Sequence, residues 1–105
     1  MNETEADIQK TMISYLRNRG HRELWAWHTL NLPRYNGYGI LPGVADLILV
    51  YGGKTHALEL KTKIGKPSPA QLRYLEGMAE NGWQTDVAYG LDAAMGSVER
   101  WGLIR

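Results

Sequence analysis

Residues 45–61, with the sequence ADLILVYGGKTHALELK, carry the strongest structural signal in this chain. Two apolar runs joined by a Gly-Gly pair predict a β-hairpin with a two-residue turn. With the glycines as the turn, Tyr51 pairs with Lys54, and Asp46 then lies opposite Glu59. Directly opposed residues have Cβ atoms about 4.5–5.5 Å apart, and like charges at that spacing are destabilising. The hairpin therefore predicts a close carboxylate pair whose repulsion a cation would offset.

Alternation along the two strands divides their side chains between two faces of the hairpin. One face, which must pack on a core, carries Leu47, Leu49, Leu58 and Leu60. The other face is apolar towards the turn and charged at its open end, and it carries Asp46, Ile48, Val50, Thr55, Ala57, Glu59 and Lys61. The charged cluster is thus expected at one end of the sheet. His56 falls on the leucine face near the turn, where we expect a capped or exposed histidine.

Lys61 follows Glu59 by two residues and so points to the same face. Two carboxylates beside a lysine suit metal-assisted phosphodiester hydrolysis, which loads negative charge onto a group that is already anionic. Mg²⁺ or Mn²⁺ is the expected cofactor, because hard cations take oxygen ligands and Mg²⁺ needs only one or two carboxylates. Lys61 would contact the scissile phosphate or orient the attacking water. The simpler alternative is that these groups form only salt bridges.

The N-terminal segment predicts a helix over residues 4–19. Thr4 and Asp7 have capping-box spacing, and Gly20 is a plausible stop. One helical stripe comprises Ile8, Met12, Tyr15, Leu16 and Arg19. Glu5 lies at the N-terminal end of that stripe, where a favourable interaction with the helix dipole is the simpler explanation for a carboxylate.

A second helix is predicted from Ser68 to about Asn81, with Ser68 as N-cap, Pro69 in the first position and Gln71 completing the capping box. Its apolar stripe comprises Leu72, Leu75, Met78 and Ala79. Gln71 has two open interpretations. It is either only a capping residue, or it also holds a water or phosphate near the metal.

The remaining segments complete an α-β-β-β-α-β-α order, which predicts a mixed α/β sheet with helices against it. Residues 24–30 and 83–89 are predicted strands, 31–43 a long loop, and about 92–100 a final helix with Asp92 as its cap. The step from Lys61 through the second helix to the last strand should be a right-handed crossover, which makes those strands parallel. The length predicts one domain over residues 1–105.

Composition limits the functional classes. A net charge of +1 gives no bulk signature of nucleic-acid binding, so any basic patch must be local. The local candidates for phosphate contacts are Lys63, Lys66, Arg73 and Arg34. Cysteine is absent, which excludes disulfide scaffolds. A polar N-terminus and the absence of a long apolar run predict a soluble, cytoplasmic protein without a membrane segment.

Together these motifs resemble the PD-(D/E)XK nuclease superfamily, through G43-V-A-D46, the hairpin, E59-L-K61 and Gln71 on the following helix. The N-terminal helix bearing Glu5 and the segment P67-S-P-A-Q71 are more specifically similar to a stand-alone virus-type replication-repair nuclease (VRR-NUC) domain. The resemblance covers about residues 4–90. Ala45 stands where the superfamily motif has proline, a residue that supplies no ligand.

The resemblance implies a restriction-endonuclease-like fold and a role for each motif residue. Asp46 and Glu59 would bind the metal, with the Leu60 carbonyl as a third ligand and Glu5 approaching directly or through water. Lys61 would be the catalytic lysine, and Gln71 would border the site.

The implied activity is that of a bacterial or phage-encoded, Mg²⁺- or Mn²⁺-dependent DNA endonuclease. It would act in DNA repair as a homodimer on branched DNA such as Holliday junctions. Two alternatives remain: a non-catalytic DNA-binding module of the same fold, and an unrelated α/β interaction protein.

Overall fold

The computed structural model describes residues 3–29 and 41–105. Within these ranges the chain forms three helices and four strands, in the order α1 (Glu5–Arg19), β1 (Trp25–His28), β2 (Leu47–Tyr51), β3 (Lys54–Lys61), α2 (Pro69–Glu80), β4 (Gln84–Tyr89) and α3 (Leu91–Arg100). The strands lie side by side in the order β1-β2-β3-β4. The predicted order of elements is therefore confirmed, although β1 is shorter than residues 24–30.

The hairpin has the predicted register. β2 and β3 are antiparallel, with Tyr51 opposite Lys54 and Leu47 opposite Leu58. Gly52 and Gly53 have φ values of 60° and 78°, as expected for a type I′ turn, in which both central residues need positive φ. Extending this register by one residue brings Asp46 level with Glu59 at the open end of the hairpin.

The leucine face of the hairpin packs on the larger of two cores. All four hairpin leucines are fully buried there, together with residues of α1, α3 and the C-terminal segment: Ile8, Met12, Leu16, Ala94, Val98 and Leu103. Full burial of one such side chain contributes about 1.5–3 kcal/mol. His56 also faces this core, and the expectation of an exposed histidine is wrong. It is 2% exposed, with Nδ1 2.9 Å from the Leu49 carbonyl and its ring against Trp101.

The opposite face packs against α2 in a smaller core of Ala45, Ile48, Ala57 and Leu75. The predicted capping box at Ser68 and Gln71 is present. The predicted apolar stripe is only partly correct, because Leu72 and Ala79 are exposed and Leu75 alone is fully buried. β4 pairs with β3 in parallel, as predicted for the connection through α2.

Gly43 allows the segment before β2 to approach the first turn of α2. Its φ is +78°, and a Cβ at this position would lie 2.5 Å from the backbone carbonyl carbon and oxygen of Ala70. Real Cβ atoms essentially never make so short a contact, so only glycine fits here. The approach brings Asp46 and α2 to the same end of the sheet.

α3 differs from its prediction at its start. It begins at Leu91, with Gly90 as N-cap and no side-chain cap, so Asp92 lies within the first turn rather than capping it. The Gly90 N–H donates to the Lys61 carbonyl at 2.8 Å, which ties the helix start to the end of β3. Among the described residues, no helix is long and apolar enough to cross a membrane.

Candidate active site

Three carboxylates meet at the end of the sheet remote from the Gly-Gly turn. Glu5, Asp46 and Glu59 each offer an oxygen atom, and these atoms all lie within 4.8 Å of one another. Glu5 is the first residue of α1, Asp46 directly precedes β2, and Glu59 lies within β3. The hairpin register brings Asp46 and Glu59 together, as predicted, and the start of α1 adds Glu5.

Asp46 is held between its two neighbouring strands. Its Oδ2 atom accepts a hydrogen bond from the Leu60 N–H at 2.8 Å. Its backbone carbonyl accepts one from the Thr29 N–H at 2.9 Å. The carboxylate therefore has a fixed orientation. The hydrogen bond from Thr29 was not predicted, because no local sequence signal indicates that β1 pairs with β2.

Gln71 performs two tasks with one amide group. Its Oε1 atom accepts from the Ser68 N–H at 2.7 Å, which completes the capping box of α2. Its Nε2 atom donates to Glu59 Oε2, also at 2.7 Å. Because the amide oxygen is engaged in the cap, the NH₂ group must face the carboxylate. Gln71 therefore caps α2 and also contacts Glu59, while its holding of a water or phosphate stays a prediction.

Among the described residues, Lys61 supplies the positive charge closest to the cluster. Its ammonium nitrogen lies 3.5 Å from Glu5 Oε1 and 3.7 Å from Glu59 Oε2. The side chain is buried, so it is a compact charge held against two of the three carboxylates. One ammonium faces three carboxylates, which leaves an excess of negative charge when all of them are ionised.

Glu59 is the buried member of this carboxylate cluster, and its pKa is raised. It is fully buried, and its Oε1 atom has no hydrogen-bond partner among the described residues. Burial, with the nearby Asp46 carboxylate as the second cause, raises the pKa of Glu59 to about 8. A buried acceptor without a partner is costly. A hard divalent cation is suited to this donor set, because its preferred ligands are carboxylate and carbonyl oxygens.

The Leu60 carbonyl lies on the edge of β3 that faces β2. Along a strand, the N–H and C=O groups of one residue point to one edge, and those of the next residue to the other. The Leu60 N–H binds Asp46, and the Lys61 carbonyl binds Gly90 on the β4 side. Both bonds place the Leu60 carbonyl on the edge where Asp46 lies.

The other predicted site residues are more peripheral. Lys63, Lys66 and Arg73 are exposed on the β3–α2 connection and on α2. Arg34 lies outside the described residues. The histidine of β1, His28, pairs with Leu47 and therefore stands on the leucine face of the sheet, away from the carboxylates.

The mixed sheet, its flanking helices and the acidic end of its central hairpin define a restriction-endonuclease-like α/β protein. A solved structure named "VRR_NUC domain protein" matches this fold with a TM-score of 0.81 at 20% sequence identity, covering 96% of this chain and 89% of its own. A second, named "VRR_NUC domain", gives a TM-score of 0.69 at 22% identity, covering 94% and 99%. No family model and no curated protein sequence matches the chain. The chain thus has the VRR-NUC fold, and the predicted fold class is confirmed.

Proposed function

We propose that this chain is a metal-dependent DNA endonuclease that hydrolyses phosphodiester bonds, with one nuclease domain over residues 1–105. The observation that supports this most strongly is the meeting of three carboxylates beside Lys61. One of them belongs to buried Glu59, whose Oε1 atom has no hydrogen-bond partner among the described residues. The likeness to two VRR_NUC structures gives independent support from the fold.

Asp46 and Glu59 would hold the cation, with the Leu60 carbonyl as a third ligand and Glu5 approaching directly or through water. Each of the first two carboxylates has one oxygen held by a protein N–H group, so the other oxygen is oriented for a ligand role. When bound, Mg²⁺ or Mn²⁺ supplies Lewis-acid chemistry that offsets charge on the phosphoryl group and activates a water. Glu59 would give up its proton on loading.

Lys61 would donate hydrogen bonds to the scissile phosphate or to the attacking water, since its ammonium group has three donors and lies beside Glu59. Gln71 borders the site and keeps Glu59 in place. Lys63, Lys66, Arg73 and Arg34 would contact the DNA backbone, where such residues fix position without reading sequence.

The proposed substrate is branched DNA, including Holliday junctions. The proposed role of the protein is in DNA repair. A homodimer would suit such a substrate, because two-fold symmetry presents two sites to two strands. Sedimentation velocity of the chain, free and with a four-way junction, tests this assembly. A monomer under both conditions would contradict it.

A nuclease panel tests the activity itself. It compares a four-way junction, a flap, a single strand and a plain duplex in Mg²⁺ or Mn²⁺, with wild type, Asp46→Asn and Lys61→Ala. We expect EDTA to abolish cleavage, and Lys61→Ala to lower its rate by at least about 100-fold, as for loss of a donor that stabilises developing charge. DNA binding should persist in both cases.

Cleavage that survives both EDTA and Lys61→Ala would contradict the mechanism. Binding without cleavage by the wild type in either metal would instead favour the non-catalytic DNA-binding module.

A further inference from the structure

Two tryptophans of β1 are exposed to solvent. Trp25 is 74% exposed and Trp27 is 47% exposed. Being two residues apart in a strand, they share one face. Trp25 lies opposite Val50 and Trp27 opposite Ile48. Both indoles therefore stand on the sheet face that carries Asp46 and Glu59, the face used by the candidate active site.

The packing of α2 accounts for their exposure. α2 lies against β3 and β4, while the tryptophans are on β1, at the far edge of the sheet order. Ile48 and Val50, their neighbours on β2, belong to the core under α2. The two rings thus extend this apolar surface outward into solvent. Exposed aromatic groups in such a cluster are typical of binding surfaces.

The register sets the distance from these rings to the carboxylates. Thr29 directly follows β1, and its N–H donates to the Asp46 carbonyl. Trp27 precedes Thr29 by two residues, which is roughly 7 Å along a strand, and Trp25 lies roughly 14 Å away. The Cα atoms of the two tryptophans are themselves roughly 7 Å apart, twice the 3.4 Å rise between stacked bases. A strand held at the carboxylates could place consecutive bases on or between the indoles.

We propose that Trp25 and Trp27 form a stacking platform for unpaired bases of DNA, next to the scissile phosphate. This rests on the proposed function, and among branched DNAs it favours those with a single-stranded segment beside the cleavage point, such as a flap. A duplex keeps its base faces stacked inside, whereas an unpaired base presents its face to an aromatic ring. Lys61 lies on the same sheet face, and the exposed Lys63 and Lys66 of the β3–α2 connection would supply further cations for the phosphates of that strand.

The experiment measures binding of oligodeoxythymidylate, about ten nucleotides long, by fluorescence anisotropy in EDTA, so that no cleavage is involved. A blunt duplex serves as the second probe. Trp25→Leu and Trp27→Leu keep an apolar side chain but remove the π-face, whereas Trp27→Phe keeps an aromatic ring. Leu72→Ala is the matched control, because Leu72 is 50% exposed on α2 and away from β1.

We expect each Trp→Leu change to weaken oligodeoxythymidylate binding by about 5- to 150-fold, the effect of losing one base–aromatic stack. Trp27→Phe should retain most of the affinity, and Leu72→Ala and the duplex affinities should not change. Thermal denaturation of each variant verifies folding, and Trp25→Leu tests the platform independently if Trp27→Leu does not fold.

Two results would overturn the proposal. One is equal binding of the single strand by wild type, Leu and Phe variants. The other is conversion of a dimer to a monomer by the double Trp→Leu variant with unchanged oligonucleotide affinity, which would make this surface a contact between copies of the chain. Because binding is measured in EDTA, tryptophan-dependent binding without any cleavage in Mg²⁺ would reject only the nuclease proposal.

Discussion

Gln71 shows how a single side chain couples local structure to the candidate site. The amide that closes the α2 capping box also holds Glu59. A metal ligand whose other oxygen is fixed by a second residue binds with a defined orientation, and loss of such support typically costs 10- to 100-fold in affinity or activity. Gln71 is therefore a positioning residue in the proposed nuclease.

The matched pair Gln71→Ala and Ser68→Ala separates the two tasks. Both variants lose the capping box, which should cost about 1 kcal/mol of stability. Only Gln71→Ala should weaken Mn²⁺ binding, by about 10- to 100-fold, as measured by titration calorimetry. Equal Mn²⁺ affinities for the two variants would show that Gln71 does not position Glu59.

The protonation of Glu59 predicts how stability depends on pH. Its pKa is raised from 4.5 to about 8 in the folded chain. Between these values the folded state binds more protons than the unfolded state, so the free energy of unfolding should fall as pH rises through this window. Mn²⁺ bound at the proposed site would displace this proton, so the stabilisation it provides should grow with pH over the same window.

Differential scanning calorimetry in EDTA and in Mn²⁺ measures both trends. Glu59→Gln is the control, because it has no proton to release and should lose this part of the pH dependence. A wild-type increment in Tm from Mn²⁺ that is independent of pH would contradict the assignment of Glu59.

At the scale of elements, the segment before β2 and the first turn of α2 depend on each other through Gly43. Gly43 and Gly53 have the same φ of +78°, but only Gly43 is crowded by neighbouring backbone. An alanine at either position must adopt a left-handed conformation, at a cost of about 1–2 kcal/mol. At Gly43 it must also push α2 and the Asp46 segment apart.

Gly43→Ala should therefore be more destabilising than Gly53→Ala in urea denaturation, and it alone should weaken Mn²⁺ binding. The two substitutions are matched in φ, so the difference between them reports the close approach. Equal destabilisation with unchanged metal affinity in both would show that the approach to Ala70 does not support the site.

Local signals in the sequence explain which elements were predictable. The Gly-Gly turn fixes the register of β2 and β3, so the meeting of Asp46 and Glu59 follows from chain spacing alone. The Ser-Pro-x-Gln start of α2 is equally local. By contrast, Leu72 has helical spacing suited to a core, yet α2 packs so that only Leu75 is fully buried. The spacing of a stripe does not reveal how much of it the sheet can cover.

The burial of His56 could not be predicted from the hairpin alone, because it depends on contacts with the C-terminal segment. Its ring packs on Trp101, and its Nδ1 atom pairs with the Leu49 carbonyl. The hairpin alone places His56 beside the turn, where exposure is the natural expectation. The C-terminal segment after α3 closes over this end of the sheet, with the Leu103 carbonyl accepting from the His21 N–H. Such a long-range contact has no local signature.

At the scale of the whole molecule, a net charge of +1 predicts that DNA binding depends on a few local cations. Each phosphate contact contributes about −0.9 to the slope of log K against log salt concentration for duplex DNA. Lys66→Ala should make that slope less negative by about one contact, or about 0.9.

Lys54 provides the control, because it lies beside the Gly-Gly turn at the opposite end of the sheet. Lys54→Ala should leave the slope unchanged, as measured by fluorescence anisotropy over a salt series in EDTA. Equal changes in the slope for both lysine variants would indicate that DNA binds over the whole surface instead of at the acidic end of the sheet.

The shared amide of Gln71 also makes the backbone of Ser68 a reporter for the site. The Ser68 N–H is bonded to the same group that holds Glu59, so a cation that immobilises Glu59 also suppresses fraying at the start of α2. Hydrogen–deuterium exchange at this one amide would slow on loading, while amides of the hairpin turn would keep their rates. Occupancy of the proposed metal site could then be followed by NMR in the full chain, without nucleic acid and without turnover.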